Sequence, residues 1–152
     1  MTPDGISAKD WEFVENEEFR IANAIMQEDD VLVSHFIEKL HSILDELLKN
    51  YGRLPSILST KADYTKNPEK AILLHEEAIR ESSDRLSRRL SLQSLILLKL
   101  ERTYECRSEA SILAIQKLFE ELEAATDDSA DSTDLEELEQ LRERFKVRQL
   151  EN

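Results

Sequence analysis

Two glycines and three prolines are all the backbone punctuation in this 152-residue chain. Tight β-hairpin turns need residues at positive φ, and loops that cradle phosphate need glycine, so both kinds of structure lack raw material here. Apolar residues instead recur three and four positions apart through most of the chain, which is the period of a helix with one buried stripe. Helices joined by short polar turns are the fold this pattern predicts.

Six or seven of them can be read. The first starts near Ser7, with Asp10 three residues on in a loose capping box, and carries Trp11, Val14, Phe19, Ala22, Ile25 and Met26 to about Glu28. Asp29 and Asp30 cap the second, whose set Leu32, Phe36, Leu40, Ile43 and Leu47, flanked by Val33, Ile37, Leu44 and Leu48, follows the helical period closely. Gly52 stands where a left-handed residue closes a helix, and Leu54-Pro55 restarts the chain into a short helix through Ile57, Leu58 and Ala62. Asn67 as cap, Pro68 at the first helical position and Glu69 on the positive end of the dipole open a helix to about Ser82.

Beyond Ser83 and Asp84, the run from Leu86 to Tyr104 contains Leu95-Ile96-Leu97-Leu98, a full turn without a polar face, which predicts a helix covered on several sides. A further helix from about Ser108 presents Ile112, Ile115, Leu118, Phe119 and Leu122. The polar tract 126–132 reads as an acidic loop. Thr133 and Glu136 make a capping box for a last helix with a narrow stripe of Leu135, Leu138, Leu141 and Phe145. The expected organisation is one all-α domain: residues 1–125 as its helical body, 126–132 as the loop, and 133–152 as a C-terminal helix of the same domain.

In residues 52–83, Leu58, Ala71 and Ala78 stand where a tetratricopeptide repeat places a helix A leucine and two helix B alanines, so this segment resembles one degenerate hairpin of that family. Ser59 replaces the family's glycine, Ala62 its tyrosine and His75 its aromatic. In the next pair of helices Ala110 has a comparable place, but its distance from Ala71 exceeds the family's repeat length. The resemblance implies antiparallel hairpins; an irregular helical bundle is the other architecture the pattern allows.

Charge narrows the function. The net charge of −13, from 33 acidic and 20 basic residues, repels phosphate backbones and anionic lipid, so neither nucleic acid nor membrane is expected as a partner. It suits a protein with a basic surface, and it also suits a surface that is merely well solvated. No run approaches the roughly 20 apolar residues of a membrane span, Met1 to Asp10 lacks a leader's basic start and apolar run, and Cys106 is the sole cysteine. A cytoplasmic protein is expected.

Catalytic constellations are weak. Glu38 and His41 share the E-x-x-H spacing of carboxylate-bridged di-iron bundles, but the second such motif is missing, and with His35 they read as the polar face of an amphipathic helix. His75-Glu76-Glu77 lacks the second histidine of a helical zinc site, and Cys106 has Glu105 and Glu109 beside it, which disfavour a thiolate. No catalytic residue, metal or cofactor is expected.

Acidic residues crowd both ends of the chain while Arg80, Arg85, Arg88, Arg89, Arg102 and Arg107 lie between, so the acids either face a partner or answer these arginines internally. Asp127, Asp128, Asp131, Asp134, Glu136 and Glu137 are the candidate partner-binding residues. The expected function is a non-enzymatic protein-binding module, an acidic inhibitor of the immunity-protein type that masks a basic partner. The alternatives are a chaperone or scaffold adaptor that takes a helix or peptide in a hairpin groove, and a ferritin-like metal enzyme. The narrow last helix would also suit a homodimer.

Overall fold

The computed structural model describes residues 1–102, 108–126 and 132–150. Among these the protein is all-helical, with seven helices: α1 (Ala8–Met26), α2 (Asp30–Tyr51), α3 (Pro55–Asp63), α4 (Pro68–Glu81), α5 (Arg85–Arg102), α6 (Glu109–Ala125) and α7 (Ser132–Leu150). None of the described helices is long and apolar enough to cross a membrane. The chain divides into two compact units, Met1–Asp84 and Arg85–Asn152. The division falls at a polar connection that in sequence looks like any other turn between helices.

In the first unit, local chemistry sets the helix ends. The Ser7 hydroxyl accepts from the Asp10 amide at 3.1 Å and donates to the Asp10 carboxylate at 2.8 Å, which closes the start of α1 in both directions. Glu28 turns the chain out of α1 at a φ of 55°, and the Asp29 carboxylate then accepts from the Leu32 amide at 3.0 Å to open α2. Gly52 ends α2 at φ 82°, ψ −166°. The left-handed helical basin expected there is not used; the backbone takes the mirror of an extended strand, a region open essentially only to glycine.

The start of α3 is capped from far along the chain. Its N-cap residue, Leu54, has no side chain able to accept, and Asp4 takes that role, accepting from the Ser56 amide at 2.7 Å and the Ser56 hydroxyl at 2.9 Å. A turn holds Asp4 in position: the Ile6 carbonyl accepts from the Thr2 amide, the Thr2 hydroxyl accepts from the Ile6 amide, and Ile6 is fully buried. Asp4→Ala is expected to lower the stability of this unit by about 1 kcal/mol, as loss of a capping side chain does, with Asp4→Asn retaining part of it. Urea denaturation of the three proteins checks this.

The core of the first unit is Ile6, Val14, Ile21, Leu40, Leu44, Leu47 and Ile57, with Trp11, Phe36, Ile37, Ile43, Leu48, Tyr51, Leu54 and Tyr64 packed against it. The stripe expected on α1 needs correction: Phe19, Ala22, Ile25 and Met26 are exposed, and the buried row is Val14, Glu17, Ile21 and Ala24. Two apolar rows run along α1, and a carboxylate interrupts the one that meets α2, which disguises it in sequence. In the α3–α4 hairpin, Leu58 and Ala62 of one helix and Ala71, His75 and Ala78 of the other are buried, and small side chains let the two backbones approach closely.

In the second unit α5 packs against both α6 and α7, as the unbroken apolar turn predicted. It buries Leu92, Leu95, Ile96 and Leu100; α6 adds Ile115, Phe119, Leu122 and Ala125; α7 adds Leu138 and Leu141. The rings of Phe119 and Phe145 lie 5.4 Å apart, whereas Leu135 is left exposed. Because α7 already begins at Ser132, Thr133 lies inside its first turn and is not the cap that the sequence pattern predicts. Ion pairs cross between helices: Arg88 to Glu121 at 3.1 Å, Arg89 to Asp134, and Arg142 to Glu123.

Candidate partner-binding surface

The α1–α2 hairpin carries a shallow groove of about 340 Å³ lined by Asp10, Phe13, Ser42, Ile43, Glu46, Leu47 and Asn50. Helical spacing builds it. Ser42, Ile43, Glu46, Leu47 and Asn50 fall on one face of α2, and Asp10 and Phe13 sit one turn apart on α1. Phe13, Ile43 and Leu47 supply the apolar lining, and Phe13 is 57% exposed. The polar positions are Asp10 on one helix and Ser42, Glu46 and Asn50 on the other.

Asp10 is held in place. The Tyr51 hydroxyl and then the Ser7 hydroxyl, both donating to Oδ2, keep its carboxyl below the usual carboxylate range. Glu46 accepts from Lys49 at 2.8 Å one turn along α2, an exposed pair of little energetic weight. The groove therefore offers apolar contact beside fixed negative charge.

A second polar group lies within the same unit. Burial raises the Glu18 carboxyl above its ordinary value, opposed by a hydrogen bond with Tyr64. Burial first, then the charge of Glu18, pushes the Tyr64 phenol up to about 12. The His41 Nε2–H donates to the Tyr64 carbonyl at 3.0 Å, and His75, buried, sets its Nε2 3.2 Å from Asp63. His75 Nδ1 and Glu17 Oε2 are buried without a hydrogen-bond partner among the described residues.

The signs of these two shifts agree. A folded-state pKa raised above the unfolded one gives stability that is complete below the unfolded pKa and lost as pH rises through the folded pKa. For Tyr64 that window runs from 10.0 to about 12. Solvent screening of this half-buried phenol leaves an effect of about 1 kcal/mol. Tyr64→Phe is expected to flatten the alkaline fall in stability over that window and to remove one phenolate step at its upper end. Ultraviolet titration and melts at several alkaline pH values measure both.

Of the residues singled out in sequence, Asp134 is ion-paired with Arg89, Glu137 accepts from the Gln93 amide at 3.4 Å, and Glu136 is exposed. Asp127, Asp128, Asp131 and Cys106 lie outside the described residues. His35 and Glu38 are exposed while His41 turns to the Tyr64 carbonyl, so the three do not converge, and among the described residues no group of three His, Cys, Asp or Glu is arranged to hold a metal ion. Sequence reasoning missed the groove, although one signal was there: Phe13 is a large aromatic on the charged flank of α1, three residues past Asp10.

No family model matches the chain, and neither a curated protein nor a solved structure matches it.

Proposed function

We propose that this chain is a non-enzymatic protein-binding module that receives a basic, amphipathic segment of a partner on its α1–α2 hairpin. The observation that carries this reading is the groove itself: an exposed Phe13 beside the half-buried Ile43, over the buried Leu47, between carboxylates from two helices, on a chain of net charge −13. The methylene stems of a partner's basic side chains gain by leaving water against Phe13 and Ile43, while their charged ends meet Asp10 and Glu46. A second copy of the chain suits the groove less well, because it brings like carboxylates together.

An immunity-type inhibitor and a scaffold adaptor are two uses of this surface, and the proposed setting is the cytoplasm. Ala71 and Ala78, buried in the α3–α4 hairpin, support the tetratricopeptide-like resemblance to the extent that any close α-hairpin does.

The test titrates the full chain with two synthetic amphipathic helical peptides that share one apolar pattern, one lysine- and arginine-rich and one glutamate-rich, at low and high salt. Binding of the basic peptide alone is expected, weakened by salt and weakened about tenfold, or 1.4 kcal/mol, by Phe13→Ala. Equal binding of both peptides, or no effect of Phe13→Ala, contradicts the proposal.

A further inference from the structure

We infer that the α1–α2 groove is a subsite for a single arginine side chain of that partner, a refinement that rests on the protein-binding reading above. The groove, at about 340 Å³ between Phe13 and the Ser42–Asn50 face of α2, has room for one long side chain. An arginine stem lies well on Phe13, Ile43 and Leu47, because its methylenes lose water there while the guanidinium stays at the rim. The exposed Phe13 ring offers a face for the guanidinium plane to stack on.

The rim matches a planar, many-donor cation better than a point charge. Asp10 and Glu46 stand on different helices, and Ser42 and Asn50 add neutral oxygens beside Glu46. Both hydroxyl bonds to the Asp10 carboxylate, from Tyr51 and Ser7, end on Oδ2, so among the described residues Oδ1 is left to accept. Its orientation is fixed before a ligand arrives. Five guanidinium donors can serve Oδ1, Glu46 and the Asn50 carbonyl together, whereas an ammonium reaches one carboxylate well. A purely apolar side chain would strip water from Asp10 and return no bond. Lys49, which bridges Glu46 at 2.8 Å, is exposed and gives way at small cost.

The experiment records ¹H–¹⁵N NMR spectra of the full chain during titration with three blocked amino acids: N-acetyl arginine amide, N-acetyl lysine amide and N-acetyl norleucine amide. The arginine probe is expected to shift the amides around Phe13, Ile43 and Leu47 and to bind at least about threefold more tightly than the lysine probe. Asp10→Asn and Glu46→Gln should each weaken it about threefold or more, and Glu46, exposed and outside the helix caps, keeps the test valid even if Asp10→Asn perturbs α1.

Norleucine or lysine binding as well as arginine, no shifts at these amides, or both variants behaving as wild type would each overturn the subsite. The basic-peptide titration with its Phe13 dependence separates the two claims. Peptide binding without arginine preference sinks the subsite alone, and arginine seating without peptide binding sinks the module reading alone.

Discussion

Leu44→Ala is expected to lower the unfolding free energy of the Met1–Asp84 unit by about 3 kcal/mol. Leu44 is fully buried on α2 in one cluster with Val14 and Ile21 of α1 and Leu40 and Leu47 of its own helix. Truncation removes apolar contact and leaves a void that packed neighbours fill only in part. The chain's one tryptophan, Trp11, packs against the same cluster, so its fluorescence in a urea titration reads the loss directly. Ile25→Ala is the control: although Ile25 belongs to the apolar row that sequence favours on α1, it is 59% exposed, and its removal is expected to change stability by no more than about 0.5 kcal/mol. If Ile25→Ala were as costly as Leu44→Ala, the buried row of α1 would be wrongly assigned.

Asp134→Ala is expected to lower the stability of the Arg85–Asn152 unit by about 2 kcal/mol, while Glu136→Ala two residues away leaves it within about 0.5 kcal/mol. Arg89 and Asp134 are ion-paired with side chains 11% and 23% exposed. Arg89 Nη1 is buried and meets the Asp134 carboxylate as an ion pair. Truncating Asp134 strands a largely desolvated guanidinium. Replacing both partners by leucine should recover most of the loss, because the penalty arises from the unmatched charge and not from the absence of a pair. Thermal melts followed by circular dichroism distinguish the variants. Glu136, exposed and outside every described ion pair, should be free of structural cost.

The elements legible in sequence are those set by neighbours within one turn. The caps at Ser7, Asp29, Asn67 and Ser108 each use a side chain that accepts from an amide three residues on, and all four sit where the local pattern places them. The central position of α5 within its unit was legible for a similar reason, since four consecutive apolar residues leave no face for water. What could not be read depends on groups that meet only after folding. Glu17 occupies the inward row of α1, so the cleaner-looking row of Phe19, Ile25 and Met26 misled. Asp4 caps a helix 52 residues away, and nothing near Leu54 announces it.

The candidate site was harder still. Ile43 and Leu47 look like ordinary positions of a regular stripe, and only their juxtaposition with Phe13 and Asp10 of the preceding helix makes a groove. The acidic residues near the C-terminus posed the opposite problem, being conspicuous in sequence. Of those described, Asp134 is engaged by Arg89 and Glu121 by Arg88, two pairs of the kind that internal answering by the arginine-rich middle requires.

In the first unit every pair of helices in close backbone contact is a pair of sequence neighbours: α1 with α2, α2 with α3, α3 with α4. Such a unit can be laid down in the order it is translated. The first hairpin can collapse as soon as Tyr51 has left the ribosome, and the clasp from Asp4 fastens once Ser56 follows, with no distant strand or late domain to await. Nascent chains built this way spend little time with apolar rows uncovered, so early crowding by other unfinished polypeptides poses them less danger than it poses proteins whose contacts span the whole sequence.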